Sequence, residues 1–260
     1  MSEPVPAVPA ATILIVRDGA SGLEVFMVKR HYQIDFMAGA LVFPGGKVHA
    51  GDRDAMLSQH VDGIAVLSED ELALRAAAIR EAFEESGILF AREEGSAAFI
   101  SAKQLAPLDR YRSPLEKGEV TLAEMLRSEH LRLACDCLVP FAHWITPVNM
   151  PKRFDTHFFI AAAPEGHAGA HDGRESVDSV WINPDAAIAD RKKWNLVFPT
   201  KLNLMKLAPF KTVADAIAGA RANPPLTVTP WIEEAPEGQR LRIREDAGYA
   251  QTSTLLRNAF

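Results

Sequence analysis

The sequence predicts a single α/β domain with a helical insert and a C-terminal arm. Three observations predict it. β-Branched runs occur before residue 45 and again between 137 and 182, a capped helical segment stands between them, and no linker-like stretch separates the strand runs. Composition agrees, since 48% hydrophobic and 24% charged residues in a chain of 260 sit near the globular average and can bury a sizeable core.

The elements follow in order. After a Pro/Ala leader, Ala11–Arg17 and Leu23–Arg30 read as a hairpin with a five-residue loop, Asp18 to Gly22. A short run, Ala40–Phe43, breaks at Pro44-Gly45-Gly46, where a sharp turn is expected. Ser68-Glu69-Asp70-Glu71 has the form of a capping box, and the helix it opens carries Leu72, Ala76, Ile79 and Phe83 on one face and stops at Gly87. Residues 101–132 read as an irregular helical insert, with a second box at Thr121–Glu124. Its apolar residues, among them Leu105, Tyr111, Leu115, Leu122, Met125 and Leu126, read as core, with a cover over a substrate arm as the alternative. Strand patterns return at Cys137–Thr146, Phe154–Ala162 and Ser179–Ile182, and Asn183-Pro184 then caps a short helix. Helical stretches at Thr200–Leu207 and Val213–Arg221 precede the breaker Asn223-Pro224-Pro225. The arm beyond it holds two strand-like runs around Glu233–Gly238, and these offer an edge for a homodimer.

Charge and cysteine usage narrow the function classes. A net charge of −6 argues against a broad nucleic-acid surface. An anionic substrate would need a few placed cations or a metal. Cys135 and Cys137 form C-x-C, which fits neither a zinc ribbon nor a C-x-x-C redox pair and reads as two buried thiols in a reducing compartment. His31, His49, His143 and His157 show no mutual spacing of a zinc site. No apolar run approaches a membrane span, and MSEPVPAVPA has acid and proline where a secretion signal places basic then apolar residues. The last residues, Arg257–Phe260, are not a peroxisomal address. Cytoplasm is the expected compartment.

The informative stretch is Arg80-Glu81-Ala82-Phe83-Glu84-Glu85-Ser86-Gly87-Ile88. On a helix Glu81 is three residues from Glu84 and four from Glu85, so the three carboxylates share one face, nearly opposite the apolar stripe. Like charges so placed repel each other, and a hard divalent cation turns that repulsion into affinity. Arg80 and Glu84 are spaced to pair. The alternative reading is an ordinary solvated acidic face.

Upstream, Phe43-Pro44-Gly45-Gly46-Lys47 supplies a glycine-rich loop leading towards this helix. Together the two segments resemble the Nudix box, G-x5-E-x7-R-E-U-x-E-E-x-G-U, with Gly46 as its first glycine and Arg80, Glu81, Glu84, Glu85, Gly87 and Ile88 as its second half. Three departures stand out. Asp52 replaces the first Glu, Ala82 replaces a bulky aliphatic residue, and 27 residues separate Asp52 from Arg80 where the pattern has seven. The surplus, placed at about 53–72, resembles the coenzyme A diphosphatase subgroup of the Nudix hydrolases, whose box is also interrupted after the Phe-Pro-Gly-Gly turn. Val28-Lys29-Arg30 before the box, and His171–Glu175 with Trp181–Pro184 after it, resemble the same subgroup, so the likeness runs from about 10 to 222.

The resemblance implies a Nudix α/β/α sandwich with a mixed sheet over 10–222, followed by the arm 223–260. It implies Mg²⁺ or Mn²⁺ held by Glu81, Glu84 and Glu85, with Arg80 orienting a ligand carboxylate and Glu81 or Glu175 as general base. Lys29, Arg30, Gly45, Gly46 and Lys47 are the implied substrate contacts. The implied substrate is a nucleoside-diphosphate derivative, coenzyme A or its acyl esters, cleaved to 3′,5′-ADP and (acyl-)4′-phosphopantetheine. Another such substrate (ADP-ribose, NADH, FAD or a nucleotide cap) and a non-catalytic nucleotide-binding module remain the alternatives.

Overall fold

A computed structural model describes residues 5–31, 39–63, 67–171, 173 and 176–259. Strand β1 (Val8–Gly19) is the spine. Its central residues Ile13, Leu14, Ile15 and Val16 are all fully buried, as expected of a strand covered on both faces. β1 and β2 (Gly22–Arg30) form the expected hairpin, but with a two-residue turn, because Gly19 pairs with Gly22 and Asp18 with Leu23. Gly22 turns the chain at φ +111°, a conformation that disfavours side chains.

β1 pairs with β2 only from Val16 onward, and the two strands separate towards the start of β1. Residues 41–47 fill the wedge. β3 (Leu41–Val42) pairs with β2, and β4 (Gly45–Lys47) pairs with β1 at Ala10, Ala11 and Thr12. The sharp turn expected at Pro44-Gly45-Gly46 is therefore a short strand, and its glycines serve close approach. A Cβ on Gly45 would lie 2.6 Å from the Ala11 carbonyl oxygen.

The interrupted segment folds as two 3₁₀ turns, Ala50–Arg53 and Ala55–His60, and then helix α1 (Glu69–Ser86). α1 opens with the expected capping box and closes on Gly87 at φ +69°. β5 (Ala91–Glu93) and β6 (Leu131–Leu133) pair with each other and bracket the insert of α2 (Ala102–Leu105), α3 (Arg112–Glu116) and α4 (Leu122–Glu129). Leu115, Leu122, Met125 and Leu126 belong to the core around α1, so these side chains support the helix instead of covering a substrate arm.

β7 (Val139–Ile145), β8 (Phe154–Ala162) and β9 (Ser176–Ile182) complete the main sheet, with β8 parallel to β1 and β9 antiparallel to β2. The sheet is mixed. α5 (Pro184–Ala189), capped by Asn183, α6 (Phe198–Leu207) and α7 (Val213–Ala222) follow. Alternation along β1 sends Ile13 and Ile15 to the α1 side and Leu14 and Val16 to the α6 side, giving two cores around one sheet.

In the arm, β10 (Thr227–Val228) adds to β7 at the sheet edge, and β11 (Trp231–Glu233), β12 (Arg240–Arg242) and β13 (Ser253–Leu255) pair among themselves. Leu241, Ile243, Ala247 and Tyr249 join the α6-side core. The strand-like runs expected to offer a dimer edge thus find partners within their own chain. No helix among the described residues is long and apolar enough to cross a membrane.

Candidate metal-binding active site

The last two turns of α1 lie against the wedge segment, and this contact builds the site. Arg80, Glu81, Glu84 and Glu85 are only 4–8% exposed, and Asp52 is 2% exposed. A solvated acidic face is thereby excluded. The carboxylates do point away from the apolar stripe, but into residues 45–52.

Arg80 is the hub. Nε donates to Asp52 Oδ1 at 2.9 Å, and Nη2 donates to Asp52 Oδ2 at 3.0 Å and to the Lys47 carbonyl at 2.9 Å. Nη1 donates to Glu81 Oε1 at 2.9 Å and Glu84 Oε2 at 3.0 Å. Asp52 also accepts from the His49 backbone N–H at 2.8 Å, inside the 3₁₀ turn it caps. Asp52 therefore sits at the position of the missing Glu as an anchor for Arg80, with both oxygens engaged.

The glycines bring backbone against the carboxylates. Gly45 donates its N–H to Glu85 Oε2 at 3.1 Å. A Cβ on Gly46 would lie 2.5 Å from Glu81 Cδ, so only glycine lets β4 approach the helix this closely.

Four carboxylates are buried with one guanidinium. Glu84 Oε1 is buried with no hydrogen-bond partner, and burial pushes its carboxyl up to about 8 against the pull of Arg80. An orphaned carboxylate oxygen within an all-oxygen, electron-rich donor set fits a hard divalent cation.

Other predicted site residues lie elsewhere. Lys29 and Arg30 end β2, where Arg30 is opposite Ser176, and the part-buried Arg30 has an Nε without a hydrogen-bond partner. Lys47 is exposed, and it is its carbonyl that enters the Arg80 network. Glu175 lies outside the described residues.

Two features escaped the sequence. Arg112, on α3, donates Nε to the Glu84 carbonyl at 3.0 Å and Nη2 to the Ala170 carbonyl at 3.2 Å, tying the insert to the end of α1. No local pattern marks it, because both acceptors are backbone atoms far along the chain. The second correction concerns histidine: His143 and His157 converge with Asp155, because cross-strand register replaces sequence spacing. Both cysteines are free thiols, but only Cys135 is buried as read; Cys137 is half-buried, and desolvation pushes it up to about 12.

Comparison with known proteins agrees with this geometry. A family model, the NUDT19 Nudix domain, matches residues 53–202. The chain is 25% identical over 222 residues to the acyl-coenzyme A diphosphatase NUDT19 of Xenopus laevis, covering 70% of this chain and 58% of that protein. Against the human protein of the same name it is 27% identical over 244 residues, covering 75% and 63%. The chain thus spans less than two thirds of the length of these relatives. Among solved structures, a NUDIX hydrolase from Alicyclobacillus acidocaldarius superposes with a TM-score of 0.66 at 25% identity, over 82% of this chain and 96% of the other. With more than half of its residues matched by the family model, the chain belongs to the NUDT19 Nudix domain family.

Proposed function

We propose that the protein is a metal-dependent diphosphohydrolase that cleaves coenzyme A or acyl-coenzyme A to 3′,5′-ADP and (acyl-)4′-phosphopantetheine. The observation that carries the chemistry is the buried carboxylate cluster with its orphaned Glu84 oxygen. The substrate rests on the curated relatives named acyl-coenzyme A diphosphatase.

In this reading Glu81, Glu84 and Glu85 hold Mg²⁺ or Mn²⁺. A divalent cation supplies charge neutralisation for the diphosphate, polarisation of a phosphoryl oxygen and a more acidic water. The protein's part is preorganisation. Arg80 holds Glu81 and Glu84 at fixed positions and is itself held by Asp52 and the Lys47 carbonyl. The Gly45 N–H fixes Glu85. Glu81 or Glu175 takes the proton from the attacking water, and Lys29, Arg30 and Lys47 meet the substrate phosphates. Residues 10–222 act as the hydrolase unit, with 223–260 as an arm. Two free thiols, Cys135 buried and Cys137 half-buried, fit the reducing cytoplasm.

The test is a substrate panel. The protein with Mg²⁺ is incubated separately with coenzyme A, an acyl-coenzyme A, ADP-ribose and NADH, and products are resolved by chromatography. The expected result is 3′,5′-ADP from the first two at the highest kcat/KM. A large preference for ADP-ribose or NADH overturns the substrate reading but leaves the chemistry standing. Binding without turnover for every substrate, across several divalent metals, overturns the chemistry.

A further inference from the structure

A second group of ligating side chains lies outside the carboxylate cluster, on the same side of the sheet. His143 on β7 and His157 on β8 are direct cross-strand partners, and their rings stack with centroids 3.9 Å apart at an interplanar angle of 24°. Asp155, two residues before His157 on β8, projects to the same face. Its Oδ1 lies 2.5 Å from His143 Nε2 and 3.7 Å from His157 Nε2, and the three ligand atoms all fall within 4.8 Å of one another. We propose that His143, Asp155 and His157 form a second cation site, selective for a borderline-soft divalent metal such as Zn²⁺, with both Nε2 atoms and one Asp155 oxygen as ligands.

The orientation of the first imidazole supports this. His143 Nδ1 is 2.8 Å from Thr227 Oγ1, and when that hydroxyl accepts the Nδ1–H, Nε2 presents a lone pair to the Asp155 oxygen. In the metal-free fold a proton joins these two atoms, and a cation would take its place with the pair opening to the wider spacing of two ligands on one metal. A single proton serves the His143–Asp155 pair alone. A cation engages all three. The three side chains are 18–35% exposed, which leaves room for water as a fourth ligand and a path of entry. The charged groups facing His157 from α1 are Glu71 and Arg75, and their opposite signs offset each other.

The site is separate from the carboxylate cluster. Strand register sets Thr227, His143, His157, Ala11 and Gly46 in one row across five strands. Gly46, which touches Glu81, is thus two strand spacings from His157, roughly 10 Å. The donor sets differ too: oxygens alone suit Mg²⁺ or Mn²⁺, whereas two imidazoles and a carboxylate suit Zn²⁺. Because Thr227 belongs to β10, metal there would fasten the arm to the sheet edge.

The experiment uses the full chain, free of any affinity tag, stripped with EDTA and held in excess MgCl₂ to occupy the carboxylate cluster. Calorimetric titration with ZnCl₂ is expected to show one tight equivalent, and CoCl₂ to develop visible absorption bands displaced by Zn²⁺. His157→Asn and Asp155→Asn are expected to weaken Zn²⁺ binding at least about 10-fold with an unchanged far-UV circular dichroism spectrum, while Glu85→Gln retains it. Absence of Zn²⁺ binding in excess Mg²⁺, or equal binding by His157→Asn, overturns the proposal. Should a variant unfold, the wild type decides: its thermal midpoint must rise with ZnCl₂ concentration, and a midpoint that does not move overturns the site.

Discussion

Arg80 has five N–H groups, and each has an acceptor: two on Asp52 and one each on Lys47, Glu81 and Glu84. No other side chain could replace it. Lysine keeps the charge but offers three donors from one point and cannot span a carboxylate with a planar fork. Arg80→Lys is therefore expected to lower kcat by about 10–100-fold, the scale seen when groups that position metal ligands are lost. Steady-state kinetics in saturating Mg²⁺ checks it. Glu84 poses the opposite problem, because half of its carboxylate is buried without a partner. Glu84→Gln removes a charge that the metal-free fold must accommodate. Calorimetry in EDTA should show a higher thermal midpoint, by about 2–4 °C for each kcal/mol gained, together with loss of Mg²⁺-dependent turnover. A midpoint that falls would mean that Arg80 alone balances this carboxylate.

At the scale of elements, the site is the contact between α1 and the wedge strand β4, and both were partly legible in the sequence. Ser68, Glu71 and Gly87 announce the ends of α1 because capping is local: donor and acceptor lie within one turn. Asn183-Pro184 announces α5 for the same reason. Glycines at 45 and 46 signalled a special backbone, but a tight turn and a close approach share that signal. Only the Ala11 carbonyl and the Glu81 carboxylate, distant in sequence, decide between them. Gly46→Ala must displace Glu81 and is expected to cut kcat/KM by more than about 10-fold, since small misplacements of reacting groups are costly. By contrast, Ser68→Ala should cost about 1 kcal/mol of stability and leave kcat unchanged, because the cap is five turns from the carboxylates' end of the helix. Chemical denaturation and kinetics on the same samples separate the two. Arg112 holds the far end of α1 through the Glu84 carbonyl. Arg112→Ala should lower kcat with little change in KM if the insert positions the helix, whereas an effect confined to KM would assign it to substrate binding.

For the whole molecule, β1 explains how the chain combines two cores with one site. Its β-branched run announced one arm of a hairpin, yet no local signal told which strands would flank it or that β1 and β2 would part to admit residues 41–47. The same limit hid the convergence of His143, Asp155 and His157, since cross-strand register comes from long-range pairing. Short strands β5, β6, β10 and β13 escaped as well, because two or three residues are too few for a period to show. What sequence did carry was the carboxylate helix, because the Nudix box fixes both residue type and spacing. In the proposed chemistry this buried cluster turns a divalent cation into a diphosphate-cleaving site. The decisive experiment follows coenzyme A turnover in Mg²⁺ by product chromatography, for the wild type and for Glu81→Gln and Glu85→Gln. The expected result is 3′,5′-ADP and 4′-phosphopantetheine from the wild type, loss of turnover in EDTA, and a fall of at least about 10²-fold in both variants, the loss of about 3 kcal/mol of transition-state stabilisation. Turnover that survives EDTA, or that both variants retain at the wild-type rate, would overturn the metal-dependent reading.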